Sequence, residues 1–333
     1  MRRKIQCMVC VCMVTALSGI TGCGTTPVDN GGTDHGEQQP VFNLYYDSDG
    51  LANNVINDLA VDFFRSGLWV ATQKGISFFS FKDSTWTTYG TASGLPNLKV
   101  TSITINLGTV WAGTISGPAS FDGTAWNELP DPGVLPSTFV TVIASMPEPD
   151  YSLWFGTRGG VARKSPSGDW TSFTITEGLS DNNITSIARN SSGTIWVGTL
   201  YGLNSYDGVR WSSSTSSLPS TTVQALYSDS FGSLWVGTSS GAAELKGSQQ
   251  VRFGTADGLP SPIVNDFVED YNQVFWAGTG SGLAWYNGKS WTELVLPSQV
   301  GGLQVTSLAS DPITKSLWIG TTSGLVRYRT ATK

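Results

Sequence analysis

Seven copies of one short pattern, evenly spaced along a glycine-rich chain, predict an all-β fold: a seven-bladed β-propeller with four-stranded antiparallel blades. The pattern is an apolar residue, Trp, an apolar residue, Gly, Thr, two variable residues and Gly. Its tryptophans recur every 39 to 43 residues, at Trp69, Trp111, Trp154, Trp196, Trp235, Trp276 and Trp318. A repeat of about 41 residues with four strand signals is typical of a propeller blade, and a solenoid is the alternative.

The composition supports this fold class and excludes several functions. The 333 residues include 39 Gly and 13 Trp, and only 13% are charged, which disfavours both disorder and long helices. The net charge is −6 without a basic stripe, so we expect no nucleic-acid partner. All four cysteines, Cys7, Cys10, Cys12 and Cys23, precede residue 24, and His35 is the one histidine. We therefore expect no disulfide, cofactor or metal site in the folded part.

The N-terminus has the features of a lipoprotein signal. Three basic residues are followed by an uncharged apolar segment over residues 5–20, and small residues lead to Cys23. This predicts a signal peptide over residues 1–22, lipidation of Cys23 and a polar tether over residues 23–40 that includes His35. An ordinary secretory peptide is the alternative. We expect a chain anchored in the cell envelope, in the outer membrane if the host has two membranes.

Each repeat contains four strand signals separated by turns, as the fourth repeat illustrates. Residues 184–188 alternate between apolar and polar, and residues 195–197 form an apolar strand that must be covered on both faces. Residues 203–206 form the third strand, and an Asp-Gly step at Asp207 leads to the last strand near Trp211. The repeat tryptophans are expected to pack between blades, and the final glycine of the pattern to make a turn.

The ends of the chain predict how the ring closes, over a propeller domain of residues 41–329. The seventh repeat ends at Tyr328 and Arg329 without a fourth strand, whereas residues 41–45 supply an unassigned strand. Phe42 and Tyr45 match Trp86 and Tyr89, both 44 residues later. We therefore expect the N-terminal strand to complete the last blade, which removes the exposed edges of an open array.

Residues 178–208 resemble the two-component regulator propeller repeat, in which Gly-Leu precedes an apolar strand and the Trp-containing strand ends in Gly-Thr. The resemblance extends over residues 41–329. It implies a propeller that recognises extracellular ligands, as in the sensing halves of hybrid histidine kinases. Only residues 330–333 follow Arg329, so we do not expect kinase activity here. A weaker, architectural resemblance links the chain to streptogramin lyases, which rely on histidine.

No residue set in the sequence predicts catalysis. Asp47, Asp49 and Gly50 superficially suggest a calcium loop, but the required Gly and distal Glu are misplaced, so these are interpreted as turn residues. No serine has a histidine base, and the sequence places no two carboxylates together. The chain is therefore predicted not to be an enzyme.

The turns after the Trp strands are the predicted recognition sites. They vary between repeats while the framework does not, and we select Lys74, Arg158 and Tyr201 as candidate ligand-binding residues. The expected ligand is a glycan, peptide or protein bound by a monomeric, lipid-anchored propeller. One alternative is a sensor or accessory subunit for a separate signalling protein, and another is a histidine-free polysaccharide lyase or hydrolase.

Overall fold

The described residues of the computed structural model, 41–129, 132–214, 218–300 and 303–329, form seven four-stranded antiparallel sheets arranged as the blades of a closed ring. This confirms the predicted fold class and the number of blades. The predicted signal peptide, Cys23 and the tether with His35 lie outside the described residues.

The described chain begins in the last blade with β1 (Val41–Tyr45) and then builds blades 1 to 4 in order, each from its innermost to its outermost strand. The strands of these four blades are β2 (Ile56–Asp62), β3 (Gly67–Thr72), β4 (Gly75–Ser80), β5 (Trp86–Tyr89); β6 (Val100–Asn106), β7 (Thr109–Thr114), β8 (Gly117–Phe121), β9 (Trp126–Glu128); β10 (Val140–Ser145), β11 (Leu153–Thr157), β12 (Gly160–Lys164), β13 (Trp170–Phe173); β14 (Ile184–Arg189), β15 (Ile195–Thr199), β16 (Gly202–Tyr206) and β17 (Trp211–Ser213).

Blades 5 to 7 follow in the same way, and within the described residues short 3-10 turns precede five of the innermost strands. The remaining strands are β18 (Val223–Ser228), β19 (Leu234–Thr238), β20 (Gly241–Lys246), β21 (Gln249–Phe253); β22 (Val264–Glu269), β23 (Phe275–Thr279), β24 (Gly282–Tyr286), β25 (Trp291–Leu294); β26 (Val305–Asp311), β27 (Ser316–Thr321) and β28 (Gly324–Arg329). The 3-10 turns are Asp47–Asp49, Thr91–Ser93, Pro132–Val134, Ile175–Glu177 and Thr255–Asp257.

The repeat tryptophans pack between blades, as the sequence predicts. Trp235 of blade 5 is buried against blade 6, with its ring centroid 4.6 Å from that of Phe275 and 5.7 Å from that of Trp291. Trp318 of blade 7 is buried in the same way against blade 1. Trp111 and Trp196 are only partly buried, although they too join clusters at the blade interfaces.

The glycine two residues after each repeat tryptophan allows neighbouring blades to approach. A Cβ atom on Gly198 would lie 2.4 Å from a methyl carbon of Val223, the first residue of the next innermost strand. Blade 1 has Ala71 at this position. The last glycine of the pattern has positive φ in every blade, for example +153° at Gly202, which explains why glycine is favoured there.

The N-terminal strand closes the ring. β1 pairs antiparallel with β28, with Phe42 opposite Tyr328 and Tyr45 opposite Leu325. The Tyr45 ring contacts Trp318 of the last blade and Trp86 of the first, at centroid distances of 5.8 and 5.7 Å. The described part of the last blade is thus built from both ends of the chain, as predicted.

The alternation of strand direction gives the ring two distinct faces. The upper face carries the loops that enter the innermost strands and the turns between second and third strands. The lower face carries the hairpins between innermost and second strands and the turns between third and outermost strands. A bond from the Gln73 N–H to the Val55 carbonyl (3.2 Å) joins the two kinds of upper-face loop in blade 1.

Candidate ligand-binding face

A buried threonine fixes the turn that reaches the upper face in every blade. In blade 4 the Thr199 hydroxyl donates to the Gly202 carbonyl (2.9 Å) and accepts from the Tyr201 N–H (3.2 Å). The Leu200 N–H donates to the Asn183 carbonyl (3.3 Å), which ties the turn to the loop beside it. The same bonds recur at Thr72, Thr114, Thr157, Thr199, Thr238, Thr279 and Thr321. The two variable residues are therefore displayed on a rigid support.

The three candidate binding residues all lie on these turns, exposed on the upper face. Lys74 belongs to blade 1, Arg158 to blade 3 and Tyr201 to blade 4, so the structure places them on one face but on separate blades. The guanidinium carbon of Arg158 lies 3.8 Å from the ring centroid of Phe139, an arrangement that orients the cation. The Tyr201 side chain is 69% exposed.

A ring of amide and hydroxyl side chains surrounds the mouth of the central channel, directly inside the turns. These side chains come from the second residue of each innermost strand: Asn57, Thr101, Thr141, Thr185, Gln224, Asn265 and Thr306. The Gln73 amide donates to the Asn57 side-chain oxygen (2.9 Å), so the turn that carries Lys74 contacts the ring. The Thr141 hydroxyl donates to the Ile184 carbonyl of the next blade (2.6 Å). In blade 1 the mouth and the turn are thus linked by a side-chain hydrogen bond.

A second ring lies one residue deeper, where a register irregularity interrupts each innermost strand. Ser102 accepts a hydrogen bond from the Ile143 N–H of the next blade (3.0 Å), and Ser186 accepts one from Leu226 (2.9 Å). Asp58 and Asp266 occupy the equivalent positions in blades 1 and 6 and accept from the Ile103 (2.8 Å) and Leu308 (2.7 Å) N–H groups. Each such bond joins two neighbouring blades.

The two carboxyl groups line the same channel mouth, where both residues are partly buried. Burial raises the pKa of Asp58, although hydrogen bonds from Ile103 and Ser102 oppose that shift. Burial and, to a lesser extent, the negative charge of Asp58 raise the pKa of Asp266 to about 7. The Ser307 hydroxyl donates to Asp58 (3.2 Å). The polar cavity that they line measures about 180 Å³, enough for a few waters or one functional group of a larger ligand.

Sequence reasoning missed this carboxylate pair, because the two residues are 208 positions apart. The available signal was positional, since both residues come two places after the first residue of an innermost strand, Ile56 or Val264. Aligning the repeats on that residue would have placed Asp58 and Asp266 in one ring.

Two further properties bear on what this face can bind. Within residues 41–129, 132–214, 218–300 and 303–329, no group of three or more His, Cys, Asp or Glu side chains is arranged to hold a metal ion. No helix in the same residues is long and apolar enough to cross a membrane.

The fold is a seven-bladed β-propeller whose upper face carries its most variable turns. Residues 178–201 and 217–240 match the family model described as two component regulator propeller. The chain therefore carries two-component regulator propeller repeats. No curated protein matches it significantly.

Solved structures with the same architecture come from several kinds of protein. One is described as the extracellular domain of a hybrid two-component system, BT3049 of B. thetaiotaomicron, with 21% identity, a TM-score of 0.75 and coverage of 87% of this chain. The match spans 41% of that domain, so this chain corresponds to less than half of it. Virginiamycin B lyase from Staphylococcus aureus has 14% identity and a TM-score of 0.69, with 88% and 100% of the two chains covered.

A third similar structure is PorZ of Porphyromonas gingivalis, described as a surface component of the type-IX secretion system. It shares 18% identity over 85% of this chain and 48% of its own, with a TM-score of 0.66. At these identities, the similarities show the fold alone.

Proposed function

We propose that the chain is a lipid-anchored, non-enzymatic binding protein of the cell envelope that holds a glycan, peptide or protein ligand on its upper face. The observation that carries the proposal is the channel mouth, where seven strands direct amide and hydroxyl groups towards one cavity. Concave sites with a few convergent polar groups on a rigid framework are typical ligand sites. Lys74, Arg158 and Tyr201 extend this surface outwards.

The chemistry of the mouth favours ligands that donate hydrogen bonds. Asp58 and Asp266 accept at the base of the cavity, and Asn57 and Gln224 offer amides at its rim. A sugar hydroxyl or a peptide amino group matches these acceptors. The exposed Tyr201 ring and the Arg158 guanidinium can add stacking contacts at the rim of such a ligand.

A binding experiment on the fragment 24–333 tests this function. Glycan and peptide arrays would identify a ligand, and the variants Lys74→Ala, Arg158→Ala and Tyr201→Ala should then weaken its binding by about 3- to 30-fold each. Lys82→Ala, an exposed lysine on the lower face, is the matched control. If all three upper-face variants bind every ligand as tightly as the parent, the assignment of the site is wrong.

The lipid anchor is tested separately in cells. Lipidation of Cys23 predicts that the protein fractionates with membranes and incorporates a labelled fatty acid, and that Cys23→Ser abolishes both. Unchanged labelling of Cys23→Ser would reject the anchor. Where the host has two membranes, density fractionation is expected to find the protein in the outer one.

A sensor or accessory role is the second candidate, favoured by the propeller repeats and by the likeness to the BT3049 domain. It predicts that deleting this protein abolishes a transcriptional response that also requires a separate histidine kinase. A response that persists without the protein would reject this role.

A polysaccharide hydrolase or lyase is the third candidate, favoured by the channel carboxyl groups. Asp266, with a pKa of about 7, could act as a general acid near neutral pH. This activity requires turnover of a polysaccharide by fragment 24–333 and its loss in Asp266→Ser. The absence of turnover across a broad substrate panel would leave binding as the function.

A further inference from the structure

The lower face carries an apolar patch at the hairpins of blades 1, 2 and 3. Phe63 and Phe64 at the first hairpin are 60% and 76% exposed, and Leu107 at the second is 69% exposed. With Met146 and Tyr151 they line a groove of about 470 Å³. Exposed apolar groups clustered in this way, rather than scattered singly, mark an interaction surface.

At this patch, apolar residues occupy backbone positions with positive φ, a conformation that favours glycine. Leu107 and Tyr151 have φ of 49° and 48°. Leu107 precedes Gly108, which also has positive φ, whereas the position of Tyr151 is held in other blades by glycine or by polar residues such as Ser66 and Lys315. A bulky residue in the left-handed region is strained. The blade 2 hairpin thus holds the apolar Leu107 at the groove at a cost in conformational energy.

The direction of β1 shows at which face the described chain begins. β1 runs from the lower face to the upper face, so Val41 begins at the lower face, in blade 7, which is the neighbour of blade 1. The exposed Ile313, in the hairpin of blade 7, lies on the same face. The described chain therefore begins at the face that carries the apolar patch.

We propose that this patch docks on the lipid surface, with Phe63, Phe64 and Leu107 inserted between lipid headgroups. The proposal rests on the proposed anchoring at Cys23, which would hold the lower face near the bilayer. Aromatic and aliphatic side chains at loop tips suit the interfacial region, and a second weak contact strengthens anchoring by lipid. Docking in this pose turns the upper face, with Lys74, Arg158 and Tyr201, away from the membrane.

Charge favours a zwitterionic surface over an anionic one. Removal of residues 1–22 leaves 16 basic and 25 acidic residues, a net charge of −9. The basic side chain within the patch, Arg65, is paired with Asp62 at 2.9 Å. Binding through apolar side chains should therefore change little with salt.

Vesicle sedimentation with fragment 24–333 tests the docking directly. This fragment contains every described strand and lacks Cys23, so no lipid modification contributes. The parent should sediment with phosphatidylcholine vesicles at millimolar lipid, equally in low and high salt. Phe63→Ser/Phe64→Ser should lower the partition coefficient about tenfold. Ile175→Ser, which removes a 59% exposed apolar side chain from the upper face, should leave it unchanged.

Leu107→Gly separates docking from folding. Glycine relieves the positive φ, so the melting temperature should equal or exceed that of the parent while vesicle binding falls. The proposal is overturned if the parent does not bind vesicles, if the phenylalanine variant binds like the parent, or if light scattering shows that the patch mediates dimers instead. Vesicle binding without labelling of Cys23 in cells would reject the anchor and retain the patch.

Discussion

At the residue scale, the threonine after each Trp-containing strand has a specific structural role. Its buried hydroxyl donates to one carbonyl and accepts from one N–H of the following turn. These bonds to the backbone do not involve the side chains of the two variable residues. This arrangement explains how side chains as different as those of Lys74, Arg158 and Tyr201 are accommodated in the same type of turn. It also explains why Thr recurs in all seven repeats, a regularity that the sequence displays without its reason.

Thr199→Val should cost about 2 kcal/mol of the free energy of unfolding. The substitution keeps the shape but removes the bond to the Gly202 carbonyl and leaves the Tyr201 N–H without its acceptor. Thr88→Val, on the exposed outer strand of blade 1, should change stability by less than about 0.5 kcal/mol. Urea denaturation monitored by Trp fluorescence gives both values. Equal effects would show that the turn does not depend on the hydroxyl.

At the element scale, the innermost strands connect the blades in two ways. Their first residues, such as Val223, press against the glycine of the preceding blade, as at Gly198. Several of their second and third residues, such as Thr141 and Ser186, form hydrogen bonds to the next blade through polar side chains. Sheets that contact each other so closely should unfold together rather than one blade at a time.

Gly198→Ala tests the close approach of blades 4 and 5. The new methyl group would overlap the Val223 side chain, and the forced displacement should cost about 1–3 kcal/mol. Gly254→Ala is the matched control, since it too has negative φ but no atom within 4 Å of the added carbon, and it should be neutral or slightly stabilising. If thermal unfolding shows that both substitutions lower the melting temperature equally, the packing argument is wrong.

Asp266 should make stability decrease with pH. Its pKa is near the ordinary 3.8 in the unfolded chain and about 7 in the folded one, so between these values the folded state binds more protons. Stability therefore falls as pH rises from about 4 to about 7 and levels off above that range. Asp266→Ser retains an acceptor for Leu308, as Ser102 and Ser186 do for their neighbours, and should flatten the decrease. Melting temperatures from pH 4 to 8 that fall equally in parent and variant would contradict the assignment.

At the scale of the whole molecule, the ring presents two chemically different faces. The upper face is polar around the mouth lined by Asn57 and Gln224, whereas the lower face carries Phe63 and Phe64, on the same side as the first residue of β1. If the lower face is anchored at the membrane as proposed, a ligand would bind the upper face, on the side opposite the membrane.

The fold can be predicted from the sequence because each repeat has the same packing and turn requirements. The repeat positions of Trp235, Gly198 and Thr199 have the same structural role in nearly every blade. The match of Tyr45 to Tyr89 predicts the closure of the ring. The features that the sequence did not predict form between residues that are far apart in the sequence. Asp58 and Asp266 meet only in the closed ring, and the groove beside Leu107 exists only where the hairpins of three blades adjoin.

A disulfide across the closure tests the central claim most directly. Asn43 and Arg327 are opposed in the pairing of β1 with β28, and fragment 24–333 contains no native cysteine. Asn43→Cys/Arg327→Cys should oxidise to an intramolecular disulfide and raise the melting temperature, because the link constrains a loop of nearly the whole chain. Asn43→Cys/Glu244→Cys, which pairs β1 with blade 5, should keep free thiols. If the first pair also stays reduced or forms only dimers, the N-terminal strand does not close the ring.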